Sequence, residues 1–97
     1  MAQYPLFPRE GGSQSVLNIT AATVVKAAPG TLWRITVTTA GSTAGTASDV
    51  LTTGGVAAAN LIAEIPNTVG VIELVWPCKT GIVITPGTGQ VVSVSFA

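Results

Sequence analysis

Hydrophobic and polar residues alternate with a period of two along most of the chain after residue 15. Between residues 31 and 39, Trp33, Ile35 and Val37 alternate with Arg34 and threonines, and they are predicted to face a core. Alternation of this kind indicates β-strands with one buried face. Strands are predicted at residues 16–27 (bent or interrupted near residue 21), 31–39, 46–51, 60–65, 70–76, 80–85 and 90–96.

Proline and glycine separate these segments at short intervals. Pro29-Gly30 and Pro86-Gly87 have the residue types of tight turns, and Pro77 is predicted to end the strand before it. About seven strands spaced by 8–12 residues indicate an antiparallel β-sandwich or small barrel, with no long helix.

Several predicted strands are hydrophobic on both faces. Val71 and Val75 alternate with Ile72 and Leu74, and residues 82–84 are all aliphatic. In a two-layer sandwich one face of each sheet meets water, so these strands predict contacts between subunits.

Charge is scarce: the 97 residues include four Lys or Arg, four Asp or Glu and no histidine, and the net charge is zero. A freely soluble domain has charged side chains at about 25–35% of its surface positions. The composition therefore predicts a surface covered by a partner protein. The net charge argues against nucleic acid as a partner, and no apolar run approaches the ~18 residues of a membrane helix.

Residues 1–15 differ in composition from residues 16–97, which form the predicted domain. Two prolines bracket Leu6 and Phe7, and a Gly-Gly pair follows, which predicts an extended arm on a hinge. Tyr4, Leu6 and Phe7 are large and apolar, so the arm is predicted to dock on a neighbouring subunit. The alternative is a frayed terminus or an edge strand of the chain's own domain. The start lacks the features of a secretory signal, which predicts synthesis and function without export.

The sequence offers few of the residues that catalysis or metal binding would require. Without histidine the commonest general base and metal ligand is missing, and no two carboxylates are close in sequence. The single cysteine, Cys78, excludes an internal disulfide and a cysteine zinc site, and it is predicted to be a small buried residue. We therefore expect no enzyme activity, no cofactor and no metal.

Arg34, Thr36 and Thr38 share the predicted face opposite the core and form a candidate interface. Arg34 has two alternatives: it reaches an acid of a partner, or it pairs with Asp49 or Glu73 within the chain.

Trp33 and Trp76 have two interpretations as well. Aromatic faces stack on sugars, so both are candidates for glycan binding together with the loop at residues 41–45. Each also shares a strand face with aliphatic residues, which favours a place in the core.

The run Pro29-Gly30-Thr31-Leu32-Trp33-Arg34-Ile35-Thr36-Val37, with the loop Ala40-Gly41-Ser42-Thr43-Ala44-Gly45, resembles small virion proteins of tailed bacteriophages. Ile65-Pro66, Pro77-Cys78-Lys79-Thr80-Gly81 and Pro86-Gly87-Thr88-Gly89-Gln90 are similar to the same pattern, which extends over about residues 16–97. The chain departs from it at residues 46–49, where such modules often have tyrosine or leucine before the acid.

The resemblance implies a jelly-roll-like β-sandwich in an oligomeric structural protein of the virion. The resemblance does not separate head from tail; the apolar strand faces, the arm and the small size favour a late-expressed capsid decoration or cement protein, made in the host cytoplasm and located on the capsid surface. Its partners would be the major capsid protein and further copies of itself, with a trimer expected. The alternative is a tail or head-fibre module that binds a host surface glycan.

Overall fold

The computed structural model describes residues 14–97, which form eight β-strands and two single 3₁₀ turns. The strands are β1 Gln14–Ile19, β2 Thr23–Lys26, β3 Gly30–Thr39, β4 Gly45–Ser48, β5 Leu61–Ile65, β6 Gly70–Cys78, β7 Ile82–Thr85 and β8 Val91–Phe96. The 3₁₀ turns, Thr53–Gly55 and Ala58–Asn60, lie between β4 and β5. The predicted all-β class is confirmed, and β1 includes Gln14 and Ser15, which precede the predicted start of the first strand at residue 16.

The strands form two four-stranded antiparallel sheets. Sheet A has the order β1-β8-β3-β6 and sheet B the order β2-β7-β4-β5. The pairs β1–β8, β2–β7, β3–β6 and β4–β5 are those of one long antiparallel hairpin wrapped into a sandwich. This connectivity is that of a jelly roll, as the resemblance implies.

One hydrophobic core lies between the sheets. Sheet A contributes Ile19, Leu32, Ile35, Val37, Cys78, Val92, Val94 and Phe96, and sheet B contributes Ala47, Ile65, Ile82 and Ile84. Because each strand alternates, these residues share the inner faces, and their burial supplies the main stabilisation of the fold. The predicted burial of Ile35, Val37 and Cys78 is confirmed.

The predicted core position of Trp33 is wrong, because β3 changes phase near its start. Leu32 and Ile35 both face the core, and the ladder is irregular between Leu32 and Arg34 on both sides of the strand. A bulge inserts an extra residue and shifts the alternation. Leu32 therefore occupies the core, while Trp33 is only half-buried.

The predicted strand at residues 16–27 is two strands in different sheets. β1 ends with the buried Ile19, and three residues carry the chain across to β2 in sheet B. Wrapping the hairpin into two layers requires this corner, which coincides with the interruption predicted near residue 21.

β6 is longer than predicted, because it continues through Pro77 to Cys78. Pro77 donates no backbone hydrogen bond, and an edge strand such as β6 tolerates this loss. Val75 has φ 49°, and beyond it Trp76 is 46% exposed although its neighbour across the ladder is the buried Leu32. The core position suggested for Trp76 is therefore wrong.

The burial of Val83 shows that one of the strands predicted to contact another subunit, β7, is instead covered within the chain. It lies on the face of β7 opposite Ile82 and Ile84, yet it is fully buried within the chain itself, as is its ladder neighbour Ser48. The two-sided apolar character of β7 thus reflects internal packing, whereas Val71 and Val75 on β6 are exposed as predicted for a contact surface.

Candidate interaction surface

The outer face of sheet A consists largely of hydroxyl side chains. β8 directs Val92, Val94 and Phe96 into the core, so its intervening Ser93 and Ser95 face outward. Across the ladders Ser95 lies beside Ser15 and Arg34, and Ser93 beside Thr36. Short side chains on adjacent strands leave a depression on this face.

The depression is a shallow hollow of about 220 Å³, lined by Ser15, Leu17, Arg34, Thr36, Ser93, Val94 and Ser95. Its floor carries hydroxyl groups, and the exposed Leu17 stands at one side while Arg34 stands at the other. Two residues of the predicted interface, Arg34 and Thr36, therefore contribute to one surface.

Thr38 has a different role from its two neighbours on β3. Its hydroxyl donates a hydrogen bond to the carbonyl of Val91 at 3.2 Å, and it does not line the hollow. Thr38 thus supports the pairing of β3 with β8.

Arg34 forms an ion pair with Glu73 on the neighbouring strand β6. Nε of Arg34 donates to Oε2 of Glu73 at 2.9 Å, and both side chains are more than half exposed. Of the alternatives from the sequence, pairing within the chain to Glu73 is the one observed. An exposed pair contributes at most about 1 kcal/mol to stability, so its clearer effect is to neutralise both charges.

Exposed hydrophobic side chains gather on the side of the sandwich formed by β5 and β6. Four residues join these strands, so the two sheet edges lie on the same side. Of eight exposed large hydrophobic residues in the described range, five belong to this side: Leu61, Val69, Val71, Val75 and Trp76, each 43–63% exposed. This set is called the apolar edge below.

The two candidate sugar-stacking residues differ in accessibility. Trp76 belongs to the apolar edge. Trp33 is half-buried, and its Nε1 is shielded from solvent with no hydrogen-bond partner among the described residues. Trp76 is therefore the more accessible stacking face.

Three loops are locked together at one end of the sandwich, at residues 40–44, 66–69 and 86–90. The Asn67 side chain exchanges two 2.6 Å hydrogen bonds with the backbone of Gly41, and Ser42 N–H donates to the Thr88 carbonyl. A Cβ atom at Gly41 would overlap the Thr88 carbonyl oxygen, so the approach requires glycine there. These loops contain no charged residue, so this end of the sandwich is neutral.

Gln90 ties the same loops from inside. It is almost fully buried, its Nε2 donates to the carbonyl of Pro66, and its Oε1 accepts from the N–H of Gly87, both at 2.9 Å. These bonds satisfy a buried amide that would otherwise be costly.

At the opposite end, Asp49 clasps the turn between β6 and β7. Its carboxylate accepts hydrogen bonds from the N–H groups of Lys79, Thr80 and Gly81 and from the Thr80 hydroxyl. Partial desolvation acts to raise the pKa of Asp49, but these hydrogen bonds outweigh it and lower the pKa to about 2. Asp49 is thereby a structural carboxylate.

Cys78 is buried beside this turn. Desolvation, together with the nearby charge of Asp49, raises the pKa of its thiol to about 11, which leaves the thiol protonated and unreactive at neutral pH.

Metal-ligand clusters of three or more His, Cys, Asp or Glu residues are not found between residues 14 and 97. No helix in that range is long and apolar enough to cross a membrane. The predicted arm residues Tyr4, Leu6 and Phe7 lie outside the described residues.

Sequence reasoning missed the residues that organise the loops. Gln90 and Asn67 carry no pattern that separates them from ordinary turn residues. Their roles arise because the jelly-roll connectivity brings three loops to one end. The only available signal was the concentration of glycine and proline in those loops.

Comparisons with known proteins add no relative. No protein-family model matches the chain, and searches of curated proteins and of solved structures return no significant match.

Proposed function

We propose that this chain is a structural protein of a bacteriophage particle, a capsid decoration protein that binds the major capsid protein and further copies of itself to stabilise the head. The observation that carries the proposal is the apolar edge, together with an outer face of sheet A whose only charges cancel in the Arg34–Glu73 pair.

Jelly rolls serve both as virion proteins and as lectins, so the surfaces decide between these uses. Contiguous exposed apolar side chains are typical of protein–protein contacts. Burial of such a surface against a partner is favourable by roughly 25 cal/mol per Å², offset by the cost of association. A particle in which each copy is covered by neighbours tolerates a surface with so little charge.

The arm provides the second contact. Tyr4, Leu6 and Phe7 are apolar residues joined to the sandwich through Gly11 and Gly12. In the proposed function these three side chains insert into a groove of the major capsid protein, while the sandwich contacts neighbouring copies.

A binding assay with undecorated heads tests the arm. Replacing Tyr4, Leu6 and Phe7 by serine should leave the circular dichroism spectrum unchanged and lower occupancy on heads at least tenfold. The matched control replaces Gln3, Arg9 and Glu10 by serine, which keeps the arm length and should retain occupancy. Unchanged occupancy in the apolar variant would contradict the role of the arm.

A density map of the particle tests the location. Copies bound on the outer surface of the capsid support decoration, and copies found only on the tail contradict it.

Glycan binding by a tail or head-fibre module is the second candidate, and the exposure of Trp76 favours it. Glycan-array binding that is lost in a folded Trp76→Ala protein would support this function. An array with no signal would count against it.

A further inference from the structure

The four edge strands of the sandwich are protected to different degrees. β2 and β5 have four and five residues and carry Lys26 and Glu64, and β1 is interrupted by a bulge at Asn18, whose φ is 58°. Short length, charge and bulges are the features that keep free strand edges from pairing with other chains. Three of the four edges therefore show ordinary protection.

The second half of β6 is protected by the bulge at Val75 and by Pro77, but its first half is not. β6 has nine residues, more than any other edge strand here, and its first five, Gly70 to Leu74, precede the irregularity at Val75. Glu73 is the only charged residue in β6, and it is neutralised by Arg34. A regular five-residue segment without a free charge is suited to pairing with another strand.

The apolar edge that surrounds β6 has the size of a weak but specific interface. The length of the apolar edge is that of the nine-residue β6, about 30 Å. Its width is roughly 20 Å, because the two sheets lie about 10 Å apart and their side chains extend beyond them. The resulting area is roughly 600 Å² per copy, or about 1,200 Å² in total, at the lower end for stable protein complexes.

We propose that two copies of this chain pair through β6, antiparallel about a two-fold axis, so that their sheets A join into one eight-stranded sheet. The pairing deepens the proposed function, on which it rests for the need to self-associate. The residues of the apolar edge then lie at or beside the contact, and Val71 projects from the outer face of the joined sheet, as its ladder neighbour Thr36 does.

Charge and backbone regularity select the register. A two-fold axis perpendicular to the sheet places one residue of β6 opposite its own copy. Glu73 is disfavoured at that position because two carboxylates would face each other. Ile72 is the centre of the regular segment from Gly70 to Leu74, and with Ile72 on the axis Val71 lies beside Glu73 of the second copy.

A head-to-tail ring is disfavoured by the opposite side of the sandwich. In such a ring the apolar edge of one copy would meet β1 and β2 of the next, and these strands carry the bulges and Lys26. The structure therefore points to a two-fold dimer in place of the trimer expected at a threefold position on a capsid.

Sedimentation of the full-length chain tests the pairing. At tens of micromolar we expect a species of twice the 9.7 kDa monomer mass, and Val71→Glu should weaken association at least tenfold because it places a second carboxylate beside Glu73 of the other copy. The matched control is Leu17→Glu, which adds the same charge at an exposed leucine on β1, the opposite edge of sheet A. The control should remain dimeric.

Amide hydrogen exchange provides a second test of the pairing that needs no variant, so it does not depend on whether a substituted protein folds. In the unmodified protein, the amides of β6 should exchange more slowly at high than at low protein concentration, and those of β1 should not change.

A monomer or trimer at every concentration, equal dissociation by Leu17→Glu, or exchange in β6 that is independent of concentration would overturn the pairing. None of these results bears on the head-binding assay, so failure of the dimer and failure of the decoration function are separable.

Discussion

At the scale of single residues, a few polar side chains hold the connections of this sandwich. Asp49 accepts four hydrogen bonds from the turn at residues 79–81, and Gln90 bridges Pro66 and Gly87. Such groups stabilise by satisfying buried or turn backbone groups, and their removal leaves those groups unpaired.

Asp49→Asn should lower the free energy of unfolding at pH 7 by about 1 kcal/mol, because one amide hydrogen would face an N–H donor whichever way the side chain is placed. The lowered pKa, about 2 against an ordinary 3.8, means that the carboxylate stabilises the fold above about pH 4 and ceases to as the pH falls towards 2. Urea unfolding measures this. As the pH falls from about 4 towards 2, the free energy of unfolding should decrease more in the natural protein than in Asp49→Asn. Glu64→Gln, at an exposed carboxylate, is the control; an equal change there would contradict the role of Asp49.

Gln90→Leu should cost about 2 kcal/mol in thermal or urea unfolding, since it keeps the volume but leaves the Pro66 carbonyl and the Gly87 N–H without their partner. Gln14→Leu, at an exposed glutamine on β1, should be close to neutral. Similar losses in both variants would show that the buried amide has no special role.

At the scale of elements, bulges decide which side chains reach the core. The irregularity in β3 places Leu32 inside and leaves Trp33 half-buried, and the one near Val75 ends the regular edge of β6. Both changes of phase lie at the same end of sheet A, where Leu32 and Trp76 are ladder neighbours.

Val75 has φ 49°, a conformation that a β-branched residue adopts at a cost of about 1–2 kcal/mol. Val75→Gly should therefore raise the free energy of unfolding by about 0.5 kcal/mol in dilute solution, after the greater flexibility of unfolded glycine is subtracted. Val71→Gly, on the same strand without a positive φ, should instead lower it. Destabilisation of the same size in both variants would contradict strain at Val75.

At the scale of the whole molecule, the scarcity of charge and the apolar edge together determine how this protein associates with other chains. The described surface presents one side rich in exposed apolar side chains and one end of uncharged, hydrogen-bonded loops. Association of such a surface is driven by burial of apolar area and depends little on long-range fields.

Self-association should accordingly respond weakly to salt. Between 0.05 and 1 M NaCl the dimer dissociation constant should change less than about threefold, because the two charges near the contact already neutralise each other within one chain. Sedimentation at both salt concentrations measures this. A decrease in affinity of more than about tenfold at high salt would show that charge pairs between copies carry the contact.

Much of the fold was predictable because strand alternation is a local property. The strands at residues 31–39, 70–76, 80–85 and 90–96 were placed to within a few residues, and the cysteine was correctly expected to be buried. The positions of Trp33 and Trp76 were not, because a bulge depends on the register with neighbouring strands. The ion pair of Arg34 with Glu73 was one of the alternatives, and only the pairing of β3 with β6 selected it.

By itself, the sequence determined the all-β class, the segments that become strands and the scarcity of charge, since these follow from composition and the period of two. The tertiary structure alone decided that the two-sided β7 is buried internally while β6 remains an open edge. The physical reason is that burial and edge position depend on strand order, which arises from contacts between residues far apart in the chain.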